Sequence, residues 1–301
     1  MPGVTEKVVL LGAGGFLGSN LNAYFPESGF KIIRQVRKGS GDARFDASDF
    51  EQLERLLTDT DPDVILNAIA LADVSQCEKY PQVAYLTNAR IVKNIGDIII
   101  KHSLRSHLIH VSTDHVYDNI QPSDERSISL TNIYSYSKFL GDIYAERIGA
   151  TVLRTNFFGR SNLLLKKGLT DWLYGNLVEG RVSTGFRDIF FNPLSLDTLC
   201  RLIIEIIKLK PIGVYNLGSV GAGISKAEFC IRFAGRLGFP LDLVDSIESS
   251  MVLKEPPRRP KSMVMDCGKV QDELGFELPD IDSEISLAAL GYEEGGAYAD
   301  R

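Results

Sequence analysis

An open, doubly wound parallel α/β sheet is the fold this sequence predicts, and three observations carry it. Apolar strand-like runs alternate with helix-period segments through the first half of the chain. The first such run, Val8 to Leu11, leads directly into glycines and then into a helical pattern. A later run, Val64 to Ala70, is almost continuously apolar, as a strand covered on both faces must be. The second half alternates less regularly and reads as a smaller C-terminal α/β region.

The elements follow in order. The first strand begins near Lys7, and Phe16, Leu17, Leu21, Tyr24 and Phe25 give the next segment helical period. Lys31 to Val36 reads as the second strand and Arg44 to Asp46 as a short third. Phe50, Leu53, Leu56 and Leu57 mark a helix. After the Val64 strand, one long helix is expected from about Val83 to Lys101. Leu108 to Val111 is the next strand and ends at Ser112. A helix carrying Tyr134 runs to about Arg147, and Thr151 to Arg154 is another strand. Leu199 to Ile207 reads as a helix and Val214 to Leu217 as a late strand. Glu255 to Lys261 is a stiff basic loop, and Glu293 to Gly296 a frayed tail.

Composition narrows the function. A net charge of -6 gives no support to a nucleic-acid footprint, so an anionic ligand would need a local basic pocket. Cys77, Cys200, Cys230 and Cys267 are scattered and read as reduced, mostly buried thiols. No His, Cys, Asp or Glu cluster has metal-ligand spacing, so no metal is expected. No apolar run approaches a membrane span, and a strand at Lys7 leaves no room for a signal peptide. A cytoplasmic protein is the resulting expectation.

The glycine segment is Gly12-Ala13-Gly14-Gly15-Phe16-Leu17-Gly18. Its spacing fits G-x-x-G-x-x-G through Gly12, Gly15 and Gly18. Glycines between a strand and a helix let the backbone approach a pyrophosphate closely, which marks a dinucleotide site of the Rossmann type. Residues 1–156 are therefore expected to form the dinucleotide-binding domain, with a strand near 213–218 returning to its sheet. Residues 157–301 are expected to be mainly substrate-binding. An acid at the end of the second strand would hold the ribose of NAD, yet none occurs from Lys31 to Gly41. Arg37 and Lys38 stand there instead, with Arg34 as a rival, and suit the 2′-phosphate of NADP. NADPH is the expected cofactor and NAD the second candidate.

Tyr134 and Lys138, four apart at the start of a helix, share one face. An ammonium beside a phenol favours its ionised form, so the pair can exchange a proton with a carbonyl or alcohol oxygen. Tyr136 points to nearly the opposite face and reads as a substrate or packing residue. His115 reads as packed rather than catalytic, and Phe186 to Phe191 as core.

Together these motifs resemble the extended short-chain dehydrogenase/reductase superfamily, and within it the dTDP-4-dehydrorhamnose reductase family. The resemblance rests on Gly12, Gly15 and Gly18, on Pro62 to Ala68, and on Asp73-Val74 with Glu78 and Asn88. Ser112 to Tyr117, Tyr134 with Lys138, Leu153 to Thr155 with Gly159, and Arg259-Pro260 extend it. It implies that Tyr134 donates the proton, that Lys138 holds the nicotinamide ribose, and that Thr113 binds the substrate oxygen with Ser112 behind it. It further implies that Asn67, Ala68 and Ala70 line the cofactor near the nicotinamide ribose, that Asp46 approaches the adenine, and that Asn88, counted with the cofactor site, supports the fourth helix and its water network. The implied reaction is NADPH-dependent reduction of the C4 ketone of a nucleotide-linked 4-keto-6-deoxy sugar. Arg258, Arg259 and Lys261 are candidates for its diphosphate, with Asn156 as a neutral donor. Dehydration is disfavoured, because Thr113-Asp114-His115 lacks the glutamate of the dehydratases. His115, Leu71 and Asn156 depart from the reductase pattern. A sugar-nucleotide epimerase and a regulatory subunit like that of methionine adenosyltransferase are therefore the alternatives. A homodimer is the default oligomer.

Overall fold

The computed structural model describes residues 5–163, 167–253 and 257–293. The first strands are β1 (Lys7–Leu11), β2 (Lys31–Val36), β3 (Ala43–Arg44), β4 (Val64–Asn67), β5 (His107–Val111) and β6 (Thr151–Thr155). With the edge strand Gly213–Leu217 they form a seven-stranded sheet, ordered from that edge β6-β5-β4-β1-β2-β3. The strand pairs from β6 across to β3 are parallel. Residues of β1, β4 and β6 are almost all buried, which is why β1 after Lys7 and β4 up to Asn67 are apolar, while β6 also buries Thr151, Arg154 and Thr155. The order reverses between β1 and β4, and a ligand crevice forms outside the carboxyl ends at such a switch point.

Two compact units make up the chain. Unit one comprises residues 1–113, 132–154 and 200–215, and unit two residues 114–131, 155–199 and 216–301. Segment 114–131, which the sequence reading places in the first domain, thus packs with unit two. Segment 200–215, read there as substrate-binding apart from its last strand, packs with unit one. The core of unit one gathers Val9, Leu53, Ile65, Val92, Ile95, Leu108 and Val152. That of unit two gathers Phe158, Phe191, Phe229, Phe233, Ile285 and Tyr292.

Helices α1 (Phe16–Leu21) and α2 (Phe50–Thr60) differ from expectation only at their ends. The long helix expected over 83–101 is broken. It consists of α3 (Pro81–Tyr85), a π-helical turn (Leu86–Arg90) and α4 (Ile91–Lys101). The wide turn holds Asn88, whose side chain is fully buried and bonded outside the helix. The Val64 strand likewise stops at Asn67, because the chain beyond it turns to meet Asn88. The Tyr134 helix is α5 (Ile133–Glu146). A reciprocal capping box starts it, with Asn132 Oδ1 accepting from Ser135 N and Ser135 Oγ from Asn132 N. In unit two, α6 (Lys226–Arg236) starts at the N-cap Ser225. Glu255, Pro256 and the tail beyond Glu293 lie outside the described residues.

Candidate active site

The glycine segment follows β1 directly. Gly12 has φ +84°, and a Cβ on it would come 2.9 Å from Ile69. A Cβ on Gly18 would come 2.3 Å from the Gly12 oxygen. Gly18 is therefore fixed by backbone crowding, and Gly12 by its left-handed backbone and the Ile69 side chain. Gly14 is exposed, and a Cβ there would meet nothing closer than 3.6 Å. Buried Gln35 holds the loop in place, accepting from Gly12 N at 3.0 Å and donating to Phe45 O at 2.6 Å. Leu17 is buried, so only its backbone can face a ligand, while Phe16 is half-buried. This cradle, bounded by Gly12 and Ile69, fits a dinucleotide at the switch point.

Around it stand the other cofactor candidates. Half-buried Ala68 and exposed Ala70 follow β4. Arg37 and Lys38 are exposed just after β2. Arg34, the rival cation, is occupied by Asn22 and Asp42. Exposed Asp46 is held below the usual carboxylate range by hydrogen bonds from Ser48, with Arg37 adding a smaller attraction.

Tyr134 and Lys138 lie on α5, and both are buried. Tyr134 packs with Val74, Cys77 and Ala84. Lys138 Nζ donates to Val111 O, the last carbonyl of β5, at 2.7 Å. Burial pulls its pKa down to about 8, against a raising influence from Asp142. Thr113 and Ser112, both buried, follow β5. Asn88 is bound to the backbone of Leu71, accepting from its N–H at 2.8 Å and donating to its carbonyl at 3.1 Å. It also donates to Ser137 Oγ at 2.9 Å, which ties the segment after β4 to α5. Tyr136, read from the sequence as a substrate or packing residue, is 56% exposed, which removes the packing alternative.

Unit two holds a group of polar side chains of its own. Asn156 Nδ2 donates to Asp114 Oδ2 at 2.6 Å. Half-buried His115 is pulled down to about 3, by burial first and then by Lys226 and Arg259. Lys226, the first residue of α6, lies over the Phe191 ring at 5.4 Å. Burial lowers its pKa, Asp114 raises it and Arg259 lowers it further. Two of the three expected loop cations are taken. Arg258 pairs with Asp118 at 2.7 Å, and Lys261 Nζ with Asp188 and Ser249. Arg259 makes no ion pair with a described residue and is the one that remains. Phe191 and Ile189 are core as expected, whereas Phe190 is 41% exposed. Sequence reasoning missed Lys226, because a lysine at a helix start looks like solvated surface. It also missed Asp142 and Arg154, although the spacing of Asp142 from Lys138 places them on one helix face.

A switch-point glycine cradle and a buried Tyr-x-x-x-Lys helix define the extended short-chain dehydrogenase/reductase class. Comparison with known proteins agrees. The family described as RmlD substrate binding domain matches residues 6–290, and the chain belongs to it. A probable low-salt glycan biosynthesis reductase of Haloferax volcanii is 24% identical over 94% of this chain and 97% of that protein. A dTDP-4-dehydrorhamnose reductase of Mycobacterium tuberculosis is 31% identical over 52% of this chain and 51% of its own. The fold matches the crystal structure of dTDP-4-dehydrorhamnose reductase from Bacillus anthracis in complex with NADP. That match has a TM-score of 0.85 and 20% identity, covering 95% of this chain and 99% of the other. Among the described residues no helix is long and apolar enough to cross a membrane.

Proposed function

We propose that this protein is an NADPH-dependent reductase of a nucleotide-linked 4-keto-6-deoxy sugar, of the dTDP-4-dehydrorhamnose reductase type. The observation that carries the reading is the buried Tyr134–Lys138 pair on a family-matched Rossmann sheet. NADPH, when bound, supplies the hydride that reduces the C4 ketone. Gly12, Gly14, Gly15 and Gly18, with the backbone of Phe16 and Leu17, hold the pyrophosphate. Arg37 and Lys38 receive the 2′-phosphate, Asp46 lies toward the adenine, and Asn67, Ala68 and Ala70 line the nicotinamide end. Asn88 acts from behind, fixing the segment after β4 against α5. Tyr134 gives its proton to the oxygen at C4 as charge develops there, and Thr113 donates a hydrogen bond to the same oxygen. Lys138, anchored on the Val111 carbonyl, keeps a positive charge beside the phenol and holds ribose hydroxyls. Ser112 backs Thr113. In unit two, Arg259 and Lys226 supply positive charge for the diphosphate, and Asn156 supplies an amide.

Loss of NADPH absorbance with dTDP-4-keto-6-deoxy-L-mannose tests the reading. Turnover is expected, weaker with NADH, and about 10²–10⁴-fold lower in Tyr134→Phe. Near-wild-type turnover in that variant overturns the assignment of Tyr134. Exchange of configuration without net NADPH consumption would make the protein an epimerase instead.

A further inference from the structure

Beneath the Tyr134–Lys138 face of α5 lies a buried group that the proposed reaction leaves without a role: His110, Asp142 and Arg154, beside Ser112. All belong to unit one. Asp142 and His110 are fully buried, and Arg154 is 1% exposed. Asp142 is one helical turn beyond Lys138, on the same face. Arg154 Nε, from β6, donates to Asp142 Oδ2 at 2.9 Å. Asp142 Oδ1 is sealed from solvent and has no hydrogen-bond partner. Ser112 Oγ approaches this carboxylate and favours its charge, yet it too completes no hydrogen bond of ordinary geometry.

His110 explains why Oδ1 matters. Asn67 Oδ1 accepts from Ile69 N at 3.2 Å, which turns the Asn67 amide nitrogen toward His110 Nδ1 at 3.1 Å. Nδ1 is then an acceptor, and the ring proton is assigned to Nε2. Nε2 lies 3.4 Å from Lys138 Nζ and 3.9 Å from Asp142 Oδ1. Carrying its proton there, His110 has no lone pair to offer Lys138. From β5, then, Lys138 meets a neutral imidazole and one backbone carbonyl. A buried ammonium in neutral surroundings gives up its proton unless a counter-ion faces it.

We propose that Asp142 is that counter-ion: a positioning residue that keeps Lys138 charged while Arg154 holds its other oxygen. Lys138 and Asp142 make no direct ion pair, and His110 Nε2 lies near both. The other groups around them are the Val111 carbonyl from β5, Ser112 just after it, Arg154 from β6, and Tyr134 one turn before Lys138 on α5. Burial raises the pKa of Asp142, and Arg154 is the strongest influence opposing it. Arg154 thereby keeps the carboxylate ionised, and the carboxylate keeps the ammonium ionised. The inference rests on the proposed reaction only in that the reaction uses the charge of Lys138.

The test is direct titration of Lys138 by NMR in protein labelled with ¹³C-lysine, with the signal assigned through Lys138→Arg. In Asp142→Asn the midpoint is expected to fall by about one pH unit or more. Asp142→Glu is expected to recover most of that shift. Asp142→Asn should also move the alkaline limb of kcat to lower pH and leave the KM for the nucleotide sugar in place. Asp142→Asn strands Arg154, so Asp142→Asn/Arg154→Gln removes both charges together and should also lower the midpoint. A folded variant with an unmoved midpoint overturns the proposal. So does a wild-type midpoint below pH 7, which needs no variant at all. A wild-type protein that turns over no keto sugar would sink the reaction, whereas the titration would still decide the role of Asp142.

Discussion

Gly14, in the loop after β1, and Gly18, in the first turn of α1, sit four residues apart and are glycine for different reasons. A methyl on Gly18 would strike Gly12 O at 2.3 Å and Ala13 Cα at 2.8 Å, both backbone atoms that cannot step aside. Gly18→Ala is therefore expected to lower the melting temperature and to abolish NADPH binding together. Gly14→Ala meets only ordinary contacts, so stability should stay within about 0.5 kcal/mol of wild type. Any loss of NADPH affinity in that variant would then report on the ligand itself. Calorimetry beside a fluorescence titration separates the two cases, and a destabilised Gly14→Ala contradicts this account.

Asn88 shows what a helix distortion can accomplish. The π turn over 86–90 brings its amide to both backbone groups of Leu71 and to Ser137. The opposing surface of α5 must be bare for this approach. A Cβ on Gly141 would come 2.5 Å from the Asn88 carbonyl and 3.1 Å from His110 Nε2. Asn88→Ala leaves buried polar groups unpaired, and a loss of about 1–3 kcal/mol is expected in urea unfolding. A loss below about 0.5 kcal/mol would mean that Asn88 is not what joins these two elements. The asparagine and its neighbourhood are legible in the sequence. The break in the helix is not, because the apolar period over 83–101 hardly registers one wide turn.

The protein as a whole hides its thiols and two of its histidines. All four cysteines are free and buried. Burial pushes Cys77 up to about 11, and Cys230 and Cys267 up to about 12. A thiol reagent at pH 8 is expected to modify the native protein slowly and all four cysteines rapidly once it unfolds. Fast labelling of the native state would contradict the packing. Burial is also the largest influence holding His110 well below its ordinary pKa and His115 at about 3. Below about pH 6.5 the unfolded chain then binds protons that the native state refuses. Stability accordingly falls with pH from there, by on the order of 1.4 kcal/mol per unit for each histidine. For His115 the loss levels off near pH 3. Urea midpoints for wild type and His115→Gln from pH 7 to 5 should converge as the pH falls, and parallel curves would refute the assignment.

Local pattern determined the succession of strands and helices, the glycine loop after the first strand, and the shared face of Tyr134 and Lys138. Each is written in spacings of two to seven residues, which the chain's own geometry converts into structure. Tertiary structure decided the rest. It gave 114–131 and 200–215 their unit, and it left Arg259 uncommitted by pairing Arg258 with Asp118, 140 residues away. It set Lys226 against Phe191 and enclosed Asp142 with Arg154, which comes from another strand. Such partnerships depend on which distant residues packing brings together and seals from water, and no local spacing records that.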